Sequence, residues 1–189
     1  MSDKTLVLSL ARLPRALGST LHEDLVWVTP DDLGTPSMSA VPGVPLDVSV
    51  DMTSVEDGVL VSLATSVDLV GECVRCLDEV REHHDVVSQE VYFEPGAPAL
   101  TSTDDEGEEA DDLFVIGERD TISIETQLRD AIVPLVDPRP LCSDDCAGLC
   151  DVCGEKWADL PEDHEHFVVD PRLASLASLL GEDGESERS

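Results

Sequence analysis

Basic side chains are scarce in this sequence: 11 Lys and Arg stand against 42 Asp and Glu, for a formal charge of −31 at pH 7. Proteins that grip a phosphate backbone gain most of their affinity from Lys and Arg that displace counterions, so the shortage argues against unaided nucleic-acid binding and toward a basic protein partner. Solubility, or a generally acidic proteome, would explain the same charge without any partner. Aromatic residues are also few, with 3 Phe, 2 Trp and 1 Tyr among 189 residues, so the core must be mostly aliphatic. Neither a run of about 18 apolar residues nor a basic-then-apolar leader occurs, and the cytoplasm is the expected location. A phosphate-cradling glycine loop, a G-x-S-x-G elbow and an H-E-x-x-H helix are missing too. The many carboxylates have no placed partner that would make one an acid and another a base, so no catalytic role is expected.

What the chain does have is cysteine. Six cysteines without a leader, two pairs of them spaced C-x-x-C, point to metal or redox chemistry rather than a disulfide framework. Cys142, Cys146, Cys150 and Cys153 fall within twelve residues. Their spacing can supply the four donors of a structural zinc ion with no tertiary contact, and this local site is the preferred assignment. Metal binding would then fold a segment that has little apolar content of its own. A second arrangement joins Cys73 and Cys76 to Cys150 and Cys153, leaving Cys142 and Cys146 for His164 and His166. Those two histidines otherwise read as exposed loop residues. Catalytic alternatives are a dithiol oxidoreductase or a metal-dependent enzyme using the C-x-x-C pairs. A thioredoxin-type pair, however, opens a helix in a β-α-β setting, and no helical pattern follows Cys76. Arg75, between two cysteines, is expected to neutralise thiolate charge rather than to act on a substrate.

Periodicity predicts an α+β fold, mainly antiparallel sheet in its first half. Leu6, Leu8 and Leu10 alternate in an opening strand, a short strand lies near Leu25 to Val28, and residues 35–45 read as loop. Leu46, Val48, Val50 and Met52 share one face of the next strand. After the turn Glu56-Asp57-Gly58, Val59, Val61, Leu63, Val67 and Leu69 share a face of another. This hairpin leads into the first C-x-x-C, which is expected at the tip of a further long hairpin whose return strand runs from Leu77 to Phe93. Residues 1–93 thus form the β-rich part. Residues 94–112, with seven acidic side chains in the nine positions 104–112, are expected to be a disordered, solvated loop, with mimicry of polyphosphate as its functional alternative. Residues 113–181 are expected to pack on the same domain. They supply a helix near 123–133 with Ser123 as N-cap, the cysteine-rich, zinc-knuckle-like loop, and a short closing helix after Asp170-Pro171. Residues 182–189 read as a polar tail.

Taken in order, CVRCL at 73–77, PLCSDDCAGLCDVCG at 140–154 and VDPRLASLASLL at 169–180 resemble the YceD family, bacterial and plastid proteins implicated in accumulation of large-subunit ribosomal RNA. The resemblance runs from about Leu46 onward and departs from the family over Glu155 to Leu160. It implies a non-catalytic accessory of ribosome assembly, in a family whose genes often neighbour that of a small zinc-binding ribosomal protein. Joined to the charge, it predicts a basic ribosomal protein or large-subunit assembly intermediate as partner, with any rRNA effect indirect. A general acidic chaperone is the remaining alternative.

Overall fold

A computed structural model describes residues 6–98 and 113–166; the acidic run at 104–112, the closing helix and the tail lie outside the described residues. The chain divides into two compact units, Met1–Cys146 and Ala147–Ser189. Among the described residues of the first are seven strands and one α-helix. The strands are β1 (Val7–Ser9), β2 (Thr20–Val28), β3 (Met38–Ala40), β4 (Pro45–Val55), β5 (Gly58–Glu72), β6 (Glu79–Phe93) and β7 (Thr121–Ser123), and the helix is α1 (Glu125–Ile132). The pairings among these seven strands are antiparallel.

The organising element is the hairpin of β5 and β6, two 15-residue strands paired without a break from Gly58↔Phe93 to Glu72↔Glu79. The other edge of β5 is shared: β4 takes Gly58 to Ala64, and β3 takes Leu69 to Gly71. β2 pairs along β4 from the far side. The expected alternation holds on both central strands. Val48, Val50 and Met52 on β4, and Val59, Val61, Leu63, Val67 and Leu69 on β5, are all at most 2% exposed. Side chains of this size contribute about 1.5–3 kcal/mol each on burial. Gly58 and Gly71 permit the close strand contact, since a Cβ would meet the Tyr92 carbonyl oxygen at Gly58 and the Ser37 carbonyl oxygen at Gly71.

β1 and β7 form a separate two-stranded ribbon that brings Leu6, Leu8, Ile122 and Ile124 into the core. α1 follows at once and packs on β6 through a polar tie. The buried Gln127 amide donates to the Val61 carbonyl (3.1 Å) and the Ser88 hydroxyl (3.3 Å), and accepts from the Tyr92 hydroxyl (3.2 Å). Tyr92 also donates to the Ser123 carbonyl at 3.0 Å.

Three local expectations are corrected. Residues 38–40 of the expected loop form β3, and the short strand at 25–28 begins five residues earlier, at Thr20. Ser123 does not cap α1: it ends β7, paired with Val7, and the N-cap is Ile124 with no side-chain hydrogen bond. Pro134 acts as expected, the α-helix ending at Ile132 before a 3₁₀ turn, Val133–Leu135.

Candidate metal centres

The two C-x-x-C turns are built alike. At the tip of the β5–β6 hairpin the Leu77 N–H donates to the Cys73 carbonyl (2.9 Å) and the Cys73 N–H to the Asp78 carbonyl (2.7 Å). In the second unit the Gly154 N–H donates to the Cys150 carbonyl (2.8 Å) and the Cys150 N–H to the Glu155 carbonyl (2.7 Å). The residue after each second cysteine has positive φ, 63° at Leu77 and 76° at Gly154. Turns of this kind aim backbone N–H groups at the first sulfur, where they favour the thiolate. Burial opposes ionisation of Cys73, but the N–H groups of Cys142, Arg75 and Cys76 outweigh it and bring the thiol down to about 6. The N–H groups of Cys153 and Val152 likewise lower Cys150. Cys76 is raised: hydrogen bonding at Asp78 pulls it down, yet burial and the neighbouring thiols prevail.

Cys142 and Cys146 reach the hairpin tip because the segment after α1 is tied along it. The Pro138 carbonyl accepts from the Ser37 hydroxyl (3.0 Å), and the Pro140 carbonyl from the Val74 N–H (3.0 Å). Arg75 donates to the Cys146 carbonyl at 2.8 Å, so its guanidinium clamps the loop. Cys73, Cys76, Cys142 and Cys146 consequently place their sulfurs within 4.8 Å of one another, with 3.7 Å between Cys73 and Cys146 and 3.4 Å between Cys76 and Cys142.

A second group forms within the second unit from Cys150, Cys153, His164 and His166, its donor atoms also within 4.8 Å. Cys153 Sγ lies 3.6 Å from His164 Nε2. His164 is packed edge-on between His166 (ring centroids 4.4 Å) and Trp157 (5.5 Å).

The four cysteines expected to share one ion are therefore divided, two to each group. The alternative pairing also changes: Cys73 and Cys76 are joined by Cys142 and Cys146, and the histidines by Cys150 and Cys153. Sequence proximity favoured the local cluster, but the hairpin carries residues some seventy positions away to Cys142 and Cys146. The matching turn pattern, C-V-R-C-L-D and C-D-V-C-G-E, marks both knuckles, but two such knuckles can equally share one ion, so the pattern does not assign them to separate groups. All six cysteines are free thiols. Both groups can hold a metal ion. Strand β6, not a helix, follows Cys76, which is not the setting of a thioredoxin-type dithiol. No helix among the described residues is long and apolar enough to cross a membrane.

An antiparallel sheet bearing a cysteine knuckle at its longest hairpin, with a second knuckle in a small following unit, defines a β-rich protein with two groups of side chains able to hold a metal ion. The chain belongs to the family described as large ribosomal RNA subunit accumulation protein YceD, whose model matches residues 61–180. Similar proteins include uncharacterized proteins of Mycobacterium tuberculosis and Mycobacterium bovis, each 33% identical over 97% of this chain and 85% of the relative. An uncharacterized protein of Mycobacterium leprae is 33% identical over 75% of this chain and 62% of its own. No solved structure matches the chain.

Proposed function

We propose that this chain is a non-catalytic accessory of large ribosomal subunit biogenesis, supporting accumulation of large-subunit rRNA through a basic ribosomal protein or assembly intermediate. The observation that carries this is membership of a family described by that role, over a match that includes both knuckles. The charge of −31 selects the kind of partner: an acidic surface attracts basic proteins and repels bare RNA, so the effect on rRNA is indirect.

Zinc is the ion proposed for both groups. Tetrahedral zinc with bonds of about 2.3 Å to sulfur and about 2.0–2.1 Å to nitrogen has sulfur–sulfur edges near 3.8 Å and sulfur–nitrogen edges near 3.6 Å. The separations here, 3.7 and 3.4 Å between sulfurs and 3.6 Å from sulfur to nitrogen, suit that geometry. Four protein donors per ion leave no open position for a substrate, which fits a structural rather than a catalytic metal.

The test is to deplete the protein from growing cells and measure the ratio of large- to small-subunit rRNA, and to titrate the purified chain with basic large-subunit ribosomal proteins and with bare rRNA. A fall in the ratio, with binding to a basic ribosomal protein that salt weakens, is expected. Tight binding of bare rRNA at physiological salt without affinity for basic ribosomal proteins would overturn the partner assignment, and an unchanged rRNA ratio would overturn the role.

A further inference from the structure

The two groups of ligands are held very differently. Cys73 and Cys76 are buried at the end of two fully paired 15-residue strands, and Arg75 together with the Val74 N–H secures the segment carrying Cys142 and Cys146. That set is assembled by contacts which do not involve a metal. Across 147–166, by contrast, Gly148 and Cys150 are the buried residues, and Trp157, the largest side chain there, is 40% exposed. Its backbone is tied by the Leu149↔Lys156 bridge, a 3₁₀ turn at Trp157–Asp159 and isolated turn bonds. A segment with so little apolar burial cannot offset the entropy of ordering its chain.

We infer that the ion held by Cys150, Cys153, His164 and His166 folds the 149–166 segment, and that it binds after the ion of the four-cysteine group and less tightly. The inference rests on the zinc assignment above. When ordering is part of binding, apparent affinity falls by the fraction of chain already ordered, so a segment ordered about 1% of the time without metal binds about 100-fold more weakly than a preformed copy. Over an intermediate range of free zinc the protein carries one ion, a folded sheet and an unformed second knuckle. Any surface built on that knuckle is then conditional on zinc supply.

The experiment uses the full chain, reduced and stripped of metal, titrated with Co²⁺ and separately with Zn²⁺. The first equivalent of cobalt should give the thiolate charge-transfer absorption of a four-sulfur site, with the amides of β4 to β6 already protected from hydrogen exchange. The second should enter at least about tenfold more weakly. It should protect amides in 149–166 and change tryptophan emission, a change lost in Trp157→Phe. His164→Ala/His166→Ala should keep the first ion, lose the second and leave the sheet's melting unchanged. Amides of 149–166 protected before any second ion binds, or two ions entering with one affinity, would overturn the inference while leaving zinc in place. A chain that binds no metal would remove the zinc assignment as well.

Discussion

Leu77 and Gly154 occupy equivalent places in the two knuckles, yet only one is the residue that a positive φ favours. The left-handed region costs a non-glycine residue about 1–2 kcal/mol, and glycine's extra freedom in the unfolded chain returns about 0.5–1 kcal/mol of that. Leu77→Gly should therefore stabilise the first unit by up to about 1 kcal/mol, read as a higher urea midpoint. At Gly154 a Cβ meets nothing within 4 Å, so Gly154→Ala isolates the conformational cost. It should weaken metal retention about fivefold in a chelator competition, the equivalent of about 1 kcal/mol. His22 and His83 bear on pH. Hydrogen bonds to Asp51 (2.8 Å) and Asp68 (2.6 Å), with Asp24 and Asp85 adding charge, raise both above 6.5. A raised folded-state pKa contributes stability that is complete below the unfolded value and is lost as pH climbs through the folded one. Both rings are solvent-exposed, so the loss should be small and salt-sensitive. Comparing urea midpoints at about pH 6 and about pH 8 between the native chain and His22→Gln/His83→Gln should reveal it; an equal pH response in both would contradict it.

Among the elements, the β5–β6 hairpin does most to position chemistry, because its uninterrupted pairing delivers Cys73 and Cys76 to one point. Its far end is closed at Gly58, where a Cβ would run into the Tyr92 carbonyl oxygen. Gly58→Ala should cost about 1–3 kcal/mol, since backbone rather than a flexible side chain must move. Denaturant unfolding checks this. Gln127 joins α1 to β5 and β6 by hydrogen bonds at 1% exposure. Gln127→Ala leaves the Ser88 hydroxyl and the Val61 carbonyl without their amide donor and opens a cavity, so a loss of about 2–4 kcal/mol is expected by the same measurement. β4 and β5 were legible in the sequence because each buries one face, where Val, Leu and Met recur at every second position over most of the strand. β3 was not, since the alternation of Met38, Ser39 and Ala40 between Pro36 and Pro42 is too short to establish a period, and only pairing with Leu69 to Gly71 makes them a strand. Ser123 looked like a cap on local grounds, but the ribbon with Val7 claims its backbone.

At the scale of the whole molecule the dominant quantity is charge. Under the proposed role, a protein at −31 would meet its basic partner through long-range attraction, which ions screen over about 10 Å at 0.1 M and about 3 Å at 1 M. Raising ionic strength from about 0.05 to about 0.5 M should weaken binding to a basic ribosomal protein about tenfold or more, chiefly through slower association, while metal content measured by native mass spectrometry stays unchanged. Binding that salt leaves unchanged or strengthens would argue for an apolar interface instead.

Local sequence was enough to read the sheet's central strands, the hairpin-tip position of Cys73 and Cys76, the end of α1 ahead of Pro134, and the eight side chains available to a metal. These follow from period, turn chemistry and residue type, which act over a few neighbouring positions. Which donors stand close enough to share an ion was settled by tertiary contacts alone. Ligand sets are chosen by distance in space, and here the long hairpin, the Arg75 clamp and the segment after α1 take Cys142 and Cys146 to Cys73 and Cys76, leaving Cys150 and Cys153 to His164 and His166.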